Sequence, residues 1–330
     1  MNKLLDLYPA QAQPTSPIRP LGNAGGGSGA SLWRFDSGLG KLMIRAWPVD
    51  GPGLSALTHI HGWLAPLTPL GFIPIPIPTR DGRTFVSLDG RFWEVTPWMP
   101  GVADLDRPPT PSHLRAAFSG LAALHQRWSI AARIGRSHAL ADRLDEAESL
   151  IAMELGLMAF AVAHAPSDPV RGLAERWLGM AREGLIAMVD RLRRDGSIEL
   201  PLQPVLRDAR PEHFLFEGDR LTGLVDFGAM GVDSPSVDLA RLLSEWVGTD
   251  RVARHQALDA YNAVRPLSTR EVEAIDIFTE SAAWLGPARW VRWHYIERRP
   301  FTDPDAVHRG LERSLARLLE RLAPIMSSTP

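Results

Sequence analysis

Two carboxylates, Asp208 and Asp226, are the sharpest chemical feature of this 330-residue chain. Asp208 lies in the polar stretch LRDARPEH (206–213), and Asp226 opens Asp226-Phe227-Gly228 at the end of the apolar run LTGLV. A carboxylate at a strand end, with a glycine soon after it to let the backbone turn away, is well placed to meet a ligand. Far upstream, NAGGGSGAS (23–31) puts Gly25, Gly26, Gly27 and Ser28 between two β-like segments, and KLMIRAW (41–47) carries the cation Arg45. These are the parts that phosphoryl transfer requires. A glycine-rich turn and a cation hold nucleotide phosphates, while carboxylates hold a metal and orient the attacking group.

The elements that must position these residues change character along the chain. Segment 1–20 is Pro-rich and aperiodic and is expected to form a loosely ordered lead-in. From Leu21 to about Met99 the pattern is strand-like, with SLWRF and KLMIRAW flanking a tight turn. Asp81-Gly82 and Asp89-Gly90 are both expected to be two-residue type I′ hairpin turns. A short helix is expected at about 53–66, and IPIPIP (73–78) cannot be a central strand because its prolines remove ladder donors. After TPWMPG (96–101) the pattern turns helical. Ser112 is expected to cap a helix whose apolar face is Leu114, Phe118, Leu121, Leu124 and Trp128. Asp168-Pro169 starts a helix that ends at Asp195-Gly196, and Ser268 with Glu271 makes a capping box. The one β-like interruption is the hairpin HFLF/LTGLVDF, which leads into Asp226. The expected class is α+β, with a small antiparallel β-rich lobe at 21–99 and a larger, mainly helical lobe at 100–330.

This order of parts resembles the aminoglycoside phosphotransferase and choline kinase group, which has the protein-kinase-like two-lobe fold. The resemblance rests on the loop LRDARPEH, on Asp226-Phe227-Gly228 and on DSPSVDLARLL after it, and it extends over roughly 20–300. It implies that Asp208 accepts or orients the proton of an attacking hydroxyl and that Asp226 ligates Mg²⁺ on the nucleotide phosphates. Arg210 matches a lysine of the protein-kinase loop and either donates to the transferring phosphoryl or is a solvated loop residue. Asp238 either orients the loop through backbone hydrogen bonds or favours the first turn of its own helix. Arg45 takes the place of the phosphate-binding lysine; residues 25–28 either cover the phosphates or form a flexible turn, and Trp98 and Met99, in the hinge TPWMPG, either line the base pocket or belong to an apolar connector. ATP or GTP and Mg²⁺ or Mn²⁺ are the cofactors implied.

Three departures from the family pattern stand out. Leu206 replaces a histidine that packs beneath the loop, keeping the packing and losing a hydrogen bond worth about 1 kcal/mol. His213 replaces an asparagine whose amide oxygen would bind the metal; it is expected to point into the site, yet imidazole suits softer ions than Mg²⁺. The helix expected to supply an acidic partner for Arg45 reads PGLSALTHIHGWLAPL and has no acidic residue. A nucleotide-binding pseudokinase with little or no transfer activity is therefore a competing reading.

Composition limits the partners. Net charge is −2, which gives no footprint for nucleic acid or a membrane surface, and no apolar run reaches the roughly 20 residues of a membrane span, so a cytoplasmic protein is expected. With no cysteine, thiolate chemistry and disulfides are excluded. The expected partners are a nucleotide and a small-molecule acceptor. Carboxylates Glu273, Asp276 and Glu280 would suit a polycationic acceptor, and the tryptophans of WLGPARWVRW a quaternary amine, unless they are a solvated face and core aromatics.

Overall fold

The computed structural model describes all residues except 23–28, 104–107, 166–167, 302 and 327–330. A short helix, α1 (Asn2–Leu5), and a two-residue strand, β1 (Arg19–Pro20), occupy the lead-in. The expectation of a loose segment fails. Leu4, Leu5, Tyr8 and Ala12 are buried in one apolar cluster with Phe35, Leu42, Ile44, Val86 and Val95. Gln13 Nε2 donates to the Leu5 carbonyl at 2.7 Å, and Arg80 Nε to the Tyr8 carbonyl at 3.0 Å. The apolar residues among the prolines cover a sheet face that would otherwise meet water.

That sheet is built from β1, β2 (Ser31–Ser37), β3 (Gly40–Ala46), β4 (Val86–Leu88) and β5 (Arg91–Pro97), in the order β1-β2-β3-β5-β4 and antiparallel throughout. Helix α2 (Leu54–Leu64) lies between β3 and β4 in the chain and buries Leu57, Ile60, His61 and Leu64, one face at helical spacing. Asp89 (φ 51°) and Gly90 (φ 73°) make the expected mirror-image turn between β4 and β5. Asp81-Gly82 does not. Only Gly82 has positive φ, and the turn is closed by Thr79 N–H donating to Arg83 O at 2.8 Å, because the prolines before it leave no strand to pair.

The connector after β5 leads to α3 (Pro111–Trp128), with Leu114, Phe118, Leu121, Leu124 and Trp128 all buried as expected. Its cap is Thr110, which accepts from His113 N–H, and not Ser112, because Pro111 already occupies the first helical position. Strand β6 (Arg133–Arg136), helices α4 (His138–Ser149), α5 (Leu155–Ala163) and α6 (Arg171–Asp195), and strand β7 (Glu199–Val205) follow. Then come the hairpin β8 (Phe214–Glu217) and β9 (Arg220–Leu224), strand β10 (Gly231–Asp233), and helices α7 (Ser236–Leu242), α8 (Arg251–Asn262), α9 (Thr269–Val291) and α10 (Ala306–Met326). The capping box of Ser268 and Glu271 is present at α9. No described helix is long and apolar enough to cross a membrane.

The chain divides into two compact units, an antiparallel sheet lobe and a helical lobe. One comprises residues 1–130, 210–231 and 263–265, and the other 131–209, 232–262 and 266–330. Helix α3 and the hairpin β8–β9 therefore group with the sheet, although a cut near residue 100 would assign them to the helical lobe. The cause is local. Val102 and Phe216 exchange backbone hydrogen bonds of 3.1 and 2.9 Å, and Thr222 Oγ1 donates to Pro100 O at 2.8 Å, so the connector is stitched to the hairpin. In the other unit α9 packs against α6, α7 and α10, with glycines at the close approaches: Gly184 lies under Trp284, and Gly310 under Trp290.

Gly101 (φ +95°) makes the stitching possible, since a Cβ there would lie 2.5 Å from Thr222 Oγ1 and 2.7 Å from Phe216 O. Gly218 (φ +59°) has nothing within 4 Å of that position. We expect Gly101→Ala to cost roughly 2–4 kcal/mol in urea unfolding, from backbone strain plus overpacking, and Gly218→Ala only about 1 kcal/mol. Equal losses would show that the close approach is not what requires glycine at 101.

Candidate active site

The hairpin brings His213 and Asp226 together. Pro211–His213 forms one 3₁₀ turn leading into β8, and Val225 N–H donates to His213 O at 3.0 Å across the hairpin. The next residue, Asp226, takes φ 66°, an uncommon conformation for a non-glycine residue that costs on the order of 1–3 kcal/mol. Its Oδ2 lies 3.6 Å from His213 Nε2. His213 thus turns toward Asp226, while Phe227 is buried as an anchor beside it.

Elsewhere in the same unit, strand pairing supplies what α2 lacks. Arg45 on β3 sits directly opposite Glu94 on β5, and its Nε lies 3.6 Å from Glu94 Oε1. From α2, His61 Nε2 meets Glu94 Oε2 at 2.8 Å, and His61 Nδ1 meets Thr84 Oγ1 at 2.7 Å. The missing acidic partner of Arg45 is therefore present, on a strand, with the helix contributing a histidine that binds it. Burial opposes ionisation of Glu94, yet the His61 hydrogen bond and the charge of Arg45 outweigh it and lower the pKa. Arg45 also stacks over Trp47, its guanidinium carbon 4.7 Å from the ring centroid.

Both groups line one cavity of about 400 Å³, a size suited to a small ligand. Arg45, Glu94 and His61 form part of its wall, His213 and Asp226 another part, and Trp98 and Met99 a third. Trp98 is held by its N–H donating to Lys41 O at 2.9 Å and by Arg34 stacked 5.0 Å over its ring. Gly25, Gly26, Gly27 and Ser28 lie outside the described residues.

Asp208 belongs to the helical unit. The two residues before it are clasped by Asp238, whose buried carboxylate accepts from Leu206 N–H and from Arg207 N–H, each at 2.7 Å. Of the two readings of Asp238, the backbone-orienting one is observed. Arg207 takes φ 63° there, and Leu206 is 3% exposed, so leucine keeps the packing of the position. Asp208 Oδ1 accepts from Arg241 Nη2 at 3.3 Å, and Arg241 also pairs with Glu245 at 3.4 Å. Sequence reasoning missed Arg241, although its place one helical turn after Asp238 on α7 was a readable signal. Arg210 pairs with Glu212 at 3.4 Å, both side chains about 40% exposed.

A family model described as "Phosphotransferase enzyme family" matches residues 26–275. The chain belongs to the phosphotransferase enzyme family. Among its relatives is a homoserine kinase of Methylobacterium nodulans, 31% identical over 216 residues, covering 64% of this chain and 60% of that protein. The chain thus spans about 60% of the length of the curated relatives it matches. Among solved structures, an aminoglycoside phosphotransferase from Alicyclobacillus acidocaldarius has TM-score 0.72 at 15% identity, over 99% of this chain and 94% of that one. An amicoumacin kinase in complex with AMP-PNP, Ca²⁺ and amicoumacin has TM-score 0.62 at 14% identity, over 95% and 91% of the two chains. The fold is thus the protein-kinase-like one of these phosphotransferases.

The phosphotransferase residues fit a loosely held divalent ion better than a caged one. Among the described residues no group of three or more His, Asp or Glu could hold a metal alone. That suits Mg²⁺, which keeps several waters and binds through one or two carboxylates plus substrate phosphates. Asp226, 46% exposed, offers hard oxygen donors, and His213 offers only nitrogen. Several of the residues considered for an acceptor are engaged elsewhere. Asp276 pairs with Arg254 at 2.7 Å, Glu280 pairs with Arg191, and Trp284 and Trp290 pack on helix glycines.

Asp238 gives the most direct test of this geometry. Asp238→Ala strands the buried N–H of Leu206 and the part-buried N–H of Arg207, at about 1–3 kcal/mol for a fully buried group. We expect it to lose roughly 2–5 kcal/mol in urea unfolding and to speed tryptic cleavage after Arg207 in the native protein. Unchanged cleavage would show that Asp238 does not hold the loop.

Proposed function

We propose that this chain transfers the γ-phosphoryl group of ATP or GTP to a hydroxyl of a small molecule. The observation that supports this best is the single cavity whose wall carries a cation with its buried acid at one part and Asp226 beside His213 at another. In this reading Asp208 takes the proton of the acceptor hydroxyl as the new oxygen–phosphorus bond forms and the bond to the departing nucleoside diphosphate breaks. Arg210 donates to the transferring group, Arg45 to the phosphates that remain, and residues 25–28 cover them. Trp98 and Met99 flank the base. Asp226, with His213, would hold Mg²⁺ or Mn²⁺, which would offset the charge that builds on the phosphate oxygens. Segment 21–99 then acts as the phosphate cover, and a nucleoside triphosphate as donor fits a cytoplasmic location.

For the acceptor we favour a small amino alcohol or hydroxy amino acid, with homoserine the first compound to test. The homology to a homoserine kinase supports this. The engagement of Asp276 and Glu280 by arginines argues against a polycationic acceptor.

We expect phosphate transfer from ATP or GTP to at least one member of a panel of homoserine, choline, ethanolamine and aminoglycosides. Asp208→Ala should lower it about 10²–10⁴-fold while nucleotide-dependent thermal stabilisation persists. Transfer unchanged in Asp208→Ala would overturn the role of that residue. Replacing His213 by asparagine should raise activity in Mg²⁺ relative to Mn²⁺, and an unaltered metal profile would remove His213 from the metal site.

A further inference from the structure

The sequence leaves Arg45 without an acid on the helix where its family would place one, and the structure supplies a different arrangement. Three elements converge on the guanidinium. Glu94 faces it from the adjacent strand, His61 on α2 binds the far oxygen of that carboxylate, and Trp47, just past the end of β3, lies beneath it. A carboxylate can only accept, so His61 Nε2 must carry the proton it shares with Glu94. His61 Nδ1 is then left to the Thr84 hydroxyl at 2.7 Å, and both ring nitrogens of a 6% exposed imidazole are satisfied. Glu94 Oε1 approaches the Nε edge of Arg45 at 3.6 Å, an ion-pair contact without a hydrogen bond, and a guanidinium approached at that edge can still offer its two terminal amino groups to an anion.

Trp47 extends the arrangement to the metal loop. The far edge of its indole lies 3.2 Å from the position a Cβ would occupy on Gly228, the glycine that closes Asp226-Phe227-Gly228. The same ring that Arg45 stacks on therefore abuts the backbone that turns away from Asp226. A side chain at 228 would have to displace that ring.

Resting on the phosphotransferase reading above, we propose that His61 and Trp47 are positioning residues: with Glu94 they form a latch that aims Arg45 at the nucleotide phosphates and sets its separation from Asp226. In the latch the helix contributes a histidine that binds an acid on the strand, in place of an acid of its own. Because Glu94 is fixed by sheet register, α2 bears on the aim of the cation through the His61–Glu94 hydrogen bond.

The test is a double-mutant cycle on the full chain with His61→Leu, Arg45→Gln and the pair, measuring KM for ATP, kcat, and binding of ATP and of adenosine. His61→Leu is expected to raise KM for ATP about fivefold or more with kcat changed less, to leave adenosine binding unaltered, and to have no further effect once Arg45 is Gln. His61→Gln, whose amide can still offer an N–H to Glu94 from about the place of Nε2, should recover part of the loss. Trp47→Phe, which keeps a ring, provides a second variant should His61→Leu fold poorly, and is expected to weaken ATP but not adenosine. If the wild type bound ATP and His61→Leu and Trp47→Phe both left KM for ATP unchanged, or if the His61 effect were undiminished in Arg45→Gln, the latch would be refuted and the phosphotransferase reading would stand. If the wild type bound no nucleotide, the functional reading would fail first and the latch with it.

Discussion

A buried carboxylate that must stay ionised is the constraint on which the cavity wall formed by β3, β5 and α2 depends. Glu94 is 5% exposed in the middle of a β-sheet, where an unpaired charge would be prohibitively costly. Arg45 and His61 offset that cost from opposite sides, and removing one partner of such a pair typically costs about 3–5 kcal/mol. The sign of the effect follows from the depressed pKa of Glu94. Its contribution to stability is present above the ordinary carboxylate range and is lost as pH falls through the folded value. Pairing of β3 with β5 is therefore more than a ladder of backbone bonds. A one-residue slip would move Glu94 to the other face of the sheet and leave Arg45 opposite an apolar side chain.

The second constraint is strain held by hydrogen bonds. Among the described non-glycine residues with positive φ, Arg207 immediately precedes Asp208, and Asp226 is itself a site residue. Each is held by a specific bond: Arg207 by the Asp238 carboxylate, and the approach to Asp226 by Val225 N–H on His213 O. Such conformations persist only where the surroundings over-determine them, and here those surroundings are one buried aspartate and one hairpin. This gives a physical reason for DSPSVDLARLL to follow Asp226-Phe227-Gly228 so closely. Its helix N-terminus carries the group that shapes the loop before Asp208.

Legibility in the sequence followed the range of the interaction. Signals carried by adjacent residues were readable: the Asp89-Gly90 turn, the Ser268–Glu271 capping box, the apolar face of α3 and the hairpin leading to Asp226 all stand as the residues indicate. Local signals that collided with proline were misread. Asp81-Gly82 resembles Asp89-Gly90 but follows a run that cannot pair, and Ser112 lost the cap to Thr110 because Pro111 starts the helix. Contacts across strands were least visible. Glu94 and Arg45 are far apart in the chain, and only the register of β3 against β5 makes them partners. The lead-in failed for the same reason, since Leu4, Leu5 and Tyr8 find their core in side chains of β2 to β5, well beyond the reach of any local pattern.

The abundance of arginine, with Lys3 and Lys41 the only lysines, explains why the latch takes this form. An ammonium is a compact charge that one acid on a neighbouring helix can hold from a single direction. A guanidinium is planar, and it must be held at one edge and one face if the rest is to meet a phosphate bidentately. Glu94 holds the Nε edge and Trp47 the face, and neither position is on a helix. An acid on α2 would compete for the same edge and add a second buried charge. A histidine there hydrogen-bonds the other oxygen of Glu94 without competing for the Nε edge of Arg45. A strand acid at the edge, a ring at the face and a histidine on the helix together suit the planar geometry of a guanidinium.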